Sequence, residues 1–389
     1  MKILYILTFN GLLKPKEGGQ NRFFNITNQI KIRDNNITIL EPEKFMDPDD
    51  EKFGVIHGFN DLKIFSSDIP LSRDFNLNFF KKVVRILNDN EFDIILFSHP
   101  SGIFITKLLM LLMRKNVPII NEAHNVESNF TTDIFSNNNR FSKFKQIIIP
   151  FYVTFLERVS CKYLVDHIIA VSAKDKNTFD KKYKFINKVS VIPSGCVIRP
   201  LSSKNESYKF KMEYGIDPSS KIVIFHGSYS HPPNEEAFRL IKDFIAPKFK
   251  ELNENVQFVV GGSEVPVLET SNFKSVGFID NMWKFLSMAD IAIVPILRGG
   301  GTKLKVLDYL SAGLPIVTTK KGIEGINAED NEQVIIVDSV NDDFIDEINY
   351  FIENEDEMIR IGQNARKLAE NKYDWNKIGD QLNNLLEEI

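Results

Sequence analysis

A glycine triplet, Gly299–Gly300–Gly301, separates an apolar run, Ile291–Val294, from an amphipathic run that extends from Thr302 to about Ala312. This order predicts a strand, a glycine-rich turn and a helix, and Pro315–Val317 predicts a further strand. Glycine lets backbone approach a bound group closely, and the first turn of a helix carries N–H groups with no intrahelical partner. Together they favour an anion, most often a phosphate. Asp308 falls two turns into the predicted helix, where a carboxylate can accept hydrogen bonds from sugar hydroxyls. Phosphate with ribose is a nucleotide, so the segment points to a nucleotide or nucleotide-sugar site. It lacks the G-x-x-x-x-G-K-[ST] spacing of a P-loop, and no G-x-G-x-x-G follows the first predicted strand.

His124 is the second residue placed for chemistry. It lies just beyond the predicted strand Val117–Ile120, and open α/β sheets bind ligands outside the carboxyl ends of their strands. Glu127 reads equally as a site residue or as part of the start of the next helix. The D-x-D within Asp47–Asp50 sits in a polar loop with Pro48 and reads as solvated rather than metal-binding. His226 and His231 lie across a turn rather than on one helical face, so they do not read as metal ligands.

The elements that must position these residues alternate between strand-like and helix-length runs, the pattern of α/β architecture with parallel sheets. Ile3–Leu7, Asn36–Leu40, Phe92–Phe97, Val117–Ile120, His167–Val171 and Lys188–Ile192 are the expected strands of a first half. Helices are expected near Arg22–Lys31 and Ile103–Lys115. Pro193-Ser194-Gly195, Pro200 and the polar run Ser202–Tyr208 read as a linker. The pattern then restarts with strands at Lys221–His226, Val256–Val260, Ser275–Gly277, Ile291–Pro295, Pro315–Val317 and Val334–Asp338, and a helix within Asn234–Pro247. Two such halves predict two Rossmann-like, doubly wound domains facing across a cleft. The acidic run Asn341–Asp346 reads as a solvated face.

The chain has 389 residues, long for one domain, and its composition of 43% hydrophobic and 26% charged residues is that of an ordinary globular protein. A net charge of −4 supplies no basic field for nucleic acid. Cys161 and Cys196 form no motif, which fits a reducing cytosol. The opening MKILYILTFNG lacks a small-residue cleavage site and reads as a first strand, and no run reaches transmembrane length. Residues 140–156 mix Lys and Arg with a dense apolar and aromatic run. This reads as a partly buried helix broken at Pro150 or, alternatively, as a peripheral membrane contact.

Several segments resemble, in order and nearly end to end, the GT-B glycosyltransferases of family 4 (glycosyl transferases group 1). Gly18-Gly19 resembles the family's first glycine loop, and Asn121-Glu122-Ala123-His124-Asn125-Val126-Glu127 its D-x-H-N-x-E segment. Glu157 with Asp166–Ser172 resembles the helix and strand that follow, and Ile192-Pro193-Ser194-Gly195 the I-P-N-G exit to the second domain. His226-Gly227-Ser228 through Pro233-Asn234 resembles the opening of that domain. Gly300-Gly301-Thr302-Lys303-Leu304-Lys305 with Asp308, then Gly313-Leu314-Pro315, resembles the donor-site signature. Tyr373-Asp374-Trp375 resembles the final helix, which in this fold crosses back to the first domain.

The resemblance implies an acceptor-side domain over residues 1–198, a nucleotide-sugar domain over 199–372 and a returning helix over 373–389. It implies a retaining transfer of a hexosyl group from a nucleotide diphosphate sugar to a glycan or lipid-linked acceptor, in cell-surface polysaccharide or glycoconjugate synthesis. The implied setting is cytoplasmic, at the inner face of the membrane if the acceptor is lipid-linked. No cofactor or metal is implied beyond the donor. His124 and Lys303 are the implied catalytic residues. The implied donor contacts are Gly18, Gly19, Gly227, Phe278, Arg298, Gly300, Gly301, Thr302, Leu304 and Asp308. Two departures stand out. The family's pair of donor-site glutamates becomes Gly300 and Asp308, and Ser228–Glu236 lacks the Arg and Lys that many relatives use on the diphosphate. Lys303 or Arg298 is then expected to supply that charge. Two alternatives stay open: a non-catalytic nucleotide-sugar-binding partner of another transferase, and an epimerase or phosphorylase on the same fold.

Overall fold

Runs such as IAIV and KIVIFH are apolar at nearly every position, the mark of strands buried on both faces of a parallel sheet. The computed structural model describes residues 1–8, 18–46, 52–60, 74–136, 143–184, 188–252 and 255–389. It divides the chain into two units, Met1–Ser194 with Ile378–Ile389, and Gly195–Lys377. The D-x-D at Asp47–Asp50 lies outside the described residues, as do positions 140–142.

In the first unit the strands are β1 (Lys2–Ile6), β2 (Asn36–Pro42), β3 (Val55–Phe59), β4 (Ile94–Phe97), β5 (Ile119–Ala123), β6 (His167–Ala170) and β7 (Lys188–Val191). They form one parallel sheet in the order β3-β2-β1-β4-β5-β6-β7. The chain turns from one side of the sheet to the other between β1 and β4. In the last helix, Trp375–Glu388, the residues from Ile378 on belong to this unit. Asp380 pairs with Arg33, and Asn383 accepts a hydrogen bond from Asn35.

In the second unit the strands are β8 (Lys221–His226), β9 (Val256–Gly261), β10 (Leu268–Glu269), β11 (Phe273–Ser275), β12 (Ile291–Val294), β13 (Ile316–Thr319) and β14 (Ile335–Val337). Their order is β10-β11-β9-β8-β12-β13-β14, parallel except for the β10–β11 edge. The strand order reverses between β8 and β12. In an open sheet of this kind the carboxyl ends at the reversal form the natural binding position.

Strands β3 and β10 were not expected from the sequence, and three further segments differ from what their composition suggests. The polar run expected as linker begins a helix, Lys204–Glu213, because Ser203 and Glu206 form a reciprocal capping box. The helix expected to break at Pro150 runs unbroken over Lys143–Val159. Proline removes one backbone donor there, but Ile149, Val153 and Leu156 are buried on one face and hold the helix down. The acidic run near Asn341 opens a helix, Asp342–Glu353. Asp342 and Asp343 face solvent at its positive end, while Phe344 and Ile345 enter the core.

Candidate functional site

At the carboxyl end of β12 the chain enters the glycine triplet, and helix Leu304–Ser311 follows. The helix begins two residues later than its amphipathic pattern suggests, with Lys303 at the N-cap position and no side-chain cap. Val306 N donates to Lys303 O at 2.9 Å, and no side chain caps the N–H groups of Leu304 and Lys305 before it. Gly299 and Gly301 have φ of 98° and 72°, left-handed values that only glycine adopts without strain. Thr302 Oγ1 is buried and makes no hydrogen bond among the described residues.

Gly227, directly after β8, faces this turn. A Cβ there would stand 2.7 Å from both Asn234 Nδ2 and Lys305 Nζ. The cation at the strand reversal is thus Lys305, which the sequence reading left without a role. Its ammonium donates to Asn234 Oδ1 at 2.6 Å and lies 4.0 Å from the centre of the Phe225 ring. Burial, and next the charge of Lys303, push its pKa well below the ordinary lysine range, with Asp308 opposing. A desolvated ammonium whose hydrogen-bond partner is a neutral amide is short of an anion.

The cations expected to grip the diphosphate sit differently. Lys303 turns back onto the loop, donating to Gly300 O at 3.1 Å and Gly301 O at 2.7 Å. Arg298 is an exposed side chain whose Nε donates to Glu236 Oε2 at 2.7 Å. Leu304 is the first helical residue, and Phe278 is exposed beyond β11, after Gly277.

Asp308 lines a recess of about 160 Å³ with Arg199, Trp283, Leu286 and Ser311. Its side chain is 39% exposed. Burial pushes its pKa up to about 7, with Arg199 and Lys305 pulling the other way. His226, the last residue of β8, places Nε2 3.6 Å from Asp308 Oδ2, beyond hydrogen-bond length. Burial, then the charge of Lys305, lowers its pKa to about 3, so the ring is neutral. His226 and Asn234 were missed as site residues, although both stand in the quoted stretch His226–Asn234.

In the first unit, Gly18 and Gly19 open helix Gly18–Lys31. His124 follows β5, its ring packed edge-on against Phe23 with centroids 4.0 Å apart. The turn after it is fixed from below by Glu157, whose carboxylate accepts the N–H groups of Glu127 at 2.7 Å and Ser128 at 3.2 Å. That carboxylate therefore caps helix Glu127–Ser136. Glu127 itself stands 3.5 Å from His99 Nε2.

Comparison with known proteins adds to this geometry. Residues 220–354 match the family model described as glycosyl transferases group 1, and residues 17–198 match that of glycosyltransferase family 4. The crystal structure of HepE from Anabaena in complex with UDP and glucose resembles the chain at a TM-score of 0.72 and 16% identity, over 100% of both chains. WaaG, a glycosyltransferase involved in lipopolysaccharide biosynthesis, resembles it at a TM-score of 0.70 and 14% identity, over 99% of each chain. At these identities the likeness is one of fold. An uncharacterized 44.6 kDa protein of the cps region of Klebsiella pneumoniae is 26% identical over 271 residues, 66% of this chain. The chain spans 65% of the length of that relative.

Proposed function

The chain belongs to the glycosyltransferases of family 4, group 1, with the GT-B fold, and on that premise we propose that it moves a hexosyl group from a nucleotide diphosphate sugar to an acceptor hydroxyl with retention at the anomeric carbon. The observation that carries this is the buried Lys305 ammonium beside Gly227, at the uncapped start of helix Leu304–Ser311. In this reading the leaving diphosphate receives the first N–H groups of the helix and the Lys305 charge, with Lys303 holding the loop in shape. Donors fixed in advance toward developing charge are usually the largest catalytic contribution. Asp308 accepts the ribose hydroxyls. We assign the acceptor to the first unit, with His124 serving the transferred sugar.

The anomeric carbon loses its bond to the diphosphate oxygen and gains one to the acceptor oxygen on the same face. The acceptor proton passes to the departing phosphate. Uridine nucleotides are the first donors to try, because HepE, of the same fold, was crystallised with UDP-glucose. The test is release of nucleoside diphosphate from a panel of sugar nucleotides, with the anomeric configuration of the product read by NMR. Consumption of one donor with a retained configuration supports the proposal. An inverted product overturns the retaining step, and no consumption by folded protein with any donor overturns the activity.

The acceptor is proposed to be lipid-linked, reached by peripheral contact at the inner face of a membrane. Among the described residues no helix is long and apolar enough to cross one. Helix Lys143–Val159 nevertheless exposes Ile147, Ile148, Phe151 and Phe155 on the face opposite buried Ile149, Val153 and Leu156. Helix Ile103–Leu112 exposes Phe104, Leu108, Leu111 and Leu112. Apolar side chains arranged in this way suit a bilayer interface. The double substitution Phe151→Ser, Phe155→Ser should abolish co-flotation with anionic phospholipid vesicles and leave turnover of a water-soluble acceptor unchanged. Equal flotation of variant and wild type would contradict the contact.

A further inference from the structure

Glu122 is a fully buried carboxylate for which the chemistry above has no use. Tyr5 Oη donates to its Oε2 at 2.6 Å, and Arg22 Nε donates to its Oε1 at 2.5 Å. Arg22, itself 1% exposed, also donates to Ile192 O at 2.8 Å and to Ser194 Oγ at 3.3 Å. One ion pair thus ties helix Gly18–Lys31, the end of β5 and the exit strand together. Burial alone would raise the Glu122 pKa. The charge of His124 when its ring is protonated, and then that of Arg22, outweigh it and hold the carboxyl at about 2. The group is therefore ionised at any working pH and can only accept hydrogen bonds.

His124 Nε2 stands 3.4 Å from Glu122 Oε2 and is buried, with no hydrogen bond among the described residues. The ring is 12% exposed, and that exposure lies on atoms other than Nε2. A lone pair on Nε2 would point at a buried carboxylate, whereas a proton there is attracted by it. In a neutral imidazole one nitrogen holds the proton and the other the lone pair. We propose that Glu122 sets the tautomer of His124, holding the proton on Nε2 and leaving Nδ1 as an acceptor for a hydroxyl of the substrate sugar. Glu122 is then a positioning residue, and Tyr5 and Arg22 hold it in place. This rests on the assignment of His124 to the sugar.

The tautomer can be read without turnover, so the proposal and the transferase activity fail separately. Two-bond proton–nitrogen spectra of the ¹⁵N-labelled full chain at alkaline pH show which nitrogen of each histidine is protonated, and His124→Gln identifies the signal. Wild type should show His124 protonated on Nε2 alone. Protonation on Nδ1 in wild type overturns the proposal, whatever the variants do. Glu122→Gln should mix the two tautomers and lower kcat/KM by about 10–100-fold, the scale seen when the partner behind a metal-ligating histidine is lost. Because that change leaves Arg22 buried without its counter-charge, Tyr5→Phe serves as the second variant. It keeps the ion pair and should keep the Nε2–H tautomer. Retention of the preference in Tyr5→Phe together with its loss in folded Glu122→Gln supports the proposal, whereas its survival in folded Glu122→Gln would show that the Glu122 charge does not set it.

Discussion

Lys305→Met should lower kcat/KM for the donor by about 10²–10³-fold, the usual loss when one preorganised donor to developing charge is removed. Methionine keeps the length and apolar stem of lysine and removes the charge. The neighbours have other supports. Asn234 Nδ2 still donates to Ser228 O at 2.9 Å, and the Phe225 ring stays buried. The fold should therefore survive. Burial holds the Lys305 ammonium well below its ordinary range, so the unfolded chain binds that proton more tightly than the folded one. Linkage then makes this group's contribution to stability rise with pH, from its depressed folded pKa up to the ordinary lysine range. Relative to Lys305→Met, wild type should be least stable at the acid end of that window. A lysine kept for stability would show the opposite balance, with a damaged fold and intact turnover. Steady-state kinetics with one acceptor, alongside thermal melts at two pH values, separate the two outcomes.

Asp308→Ala should raise the donor KM by about tenfold or more, the scale of a lost hydrogen bond to a charged group, and change kcat far less. The ribose hydroxyls are held before and during transfer, so losing their acceptor weakens ground state and transition state alike. Asp308 also gives the wild type a pH signature. Burial raises its pKa to about 7, so near neutrality the free protein carries a mixture of acid and carboxylate. The carboxylate is the better acceptor. Wild-type donor KM should fall as pH rises through about 7 and level off above it, while Asp308→Asn should be flat. The effect on stability has the other sign. The folded state keeps a proton that the unfolded chain gives up, so this group's contribution is present below about pH 4, the unfolded carboxyl range, and is lost as pH rises to about 7. Improved donor binding at high pH therefore cannot be ascribed to a firmer fold. A wild-type KM that is flat across neutral pH would show that Asp308 does not titrate there, and a donor KM unchanged in Asp308→Ala would remove Asp308 from the donor site.

The two sheets were legible because parallel strands buried on both faces are written as unbroken apolar runs, such as Ile291–Val294 and Ile119–Ile120. The strand, glycine turn and helix of the second unit were legible for the same reason, and because the left-handed turn requires glycine at Gly299 and Gly301. Lys305 was not. Lys303 and Lys305 look alike in sequence, and the winding of the helix start turns one back to the loop carbonyls and the other beneath Gly227. Arg298, nearer the glycines in sequence, is drawn outward by Glu236. Tyr5, Arg22 and Glu122 were invisible as a group because they come from separate strands and a helix, and only the sheet brings them to one point. The helix after Ser203 was hidden by composition, since a capping box is built from the same polar residues as a linker.

The most direct test is the melting temperature of the purified chain with UDP, GDP, ADP and their common sugar conjugates, measured in parallel on Lys305→Met. A ligand that binds only the folded state at about 100 times its Kd adds about 2.7 kcal/mol of stability. A nucleoside diphosphate site built on Lys305 predicts a clear upward shift with one diphosphate in wild type, and its loss in the variant. No shift with any diphosphate in folded wild-type protein, or an equal shift in Lys305→Met, would contradict it.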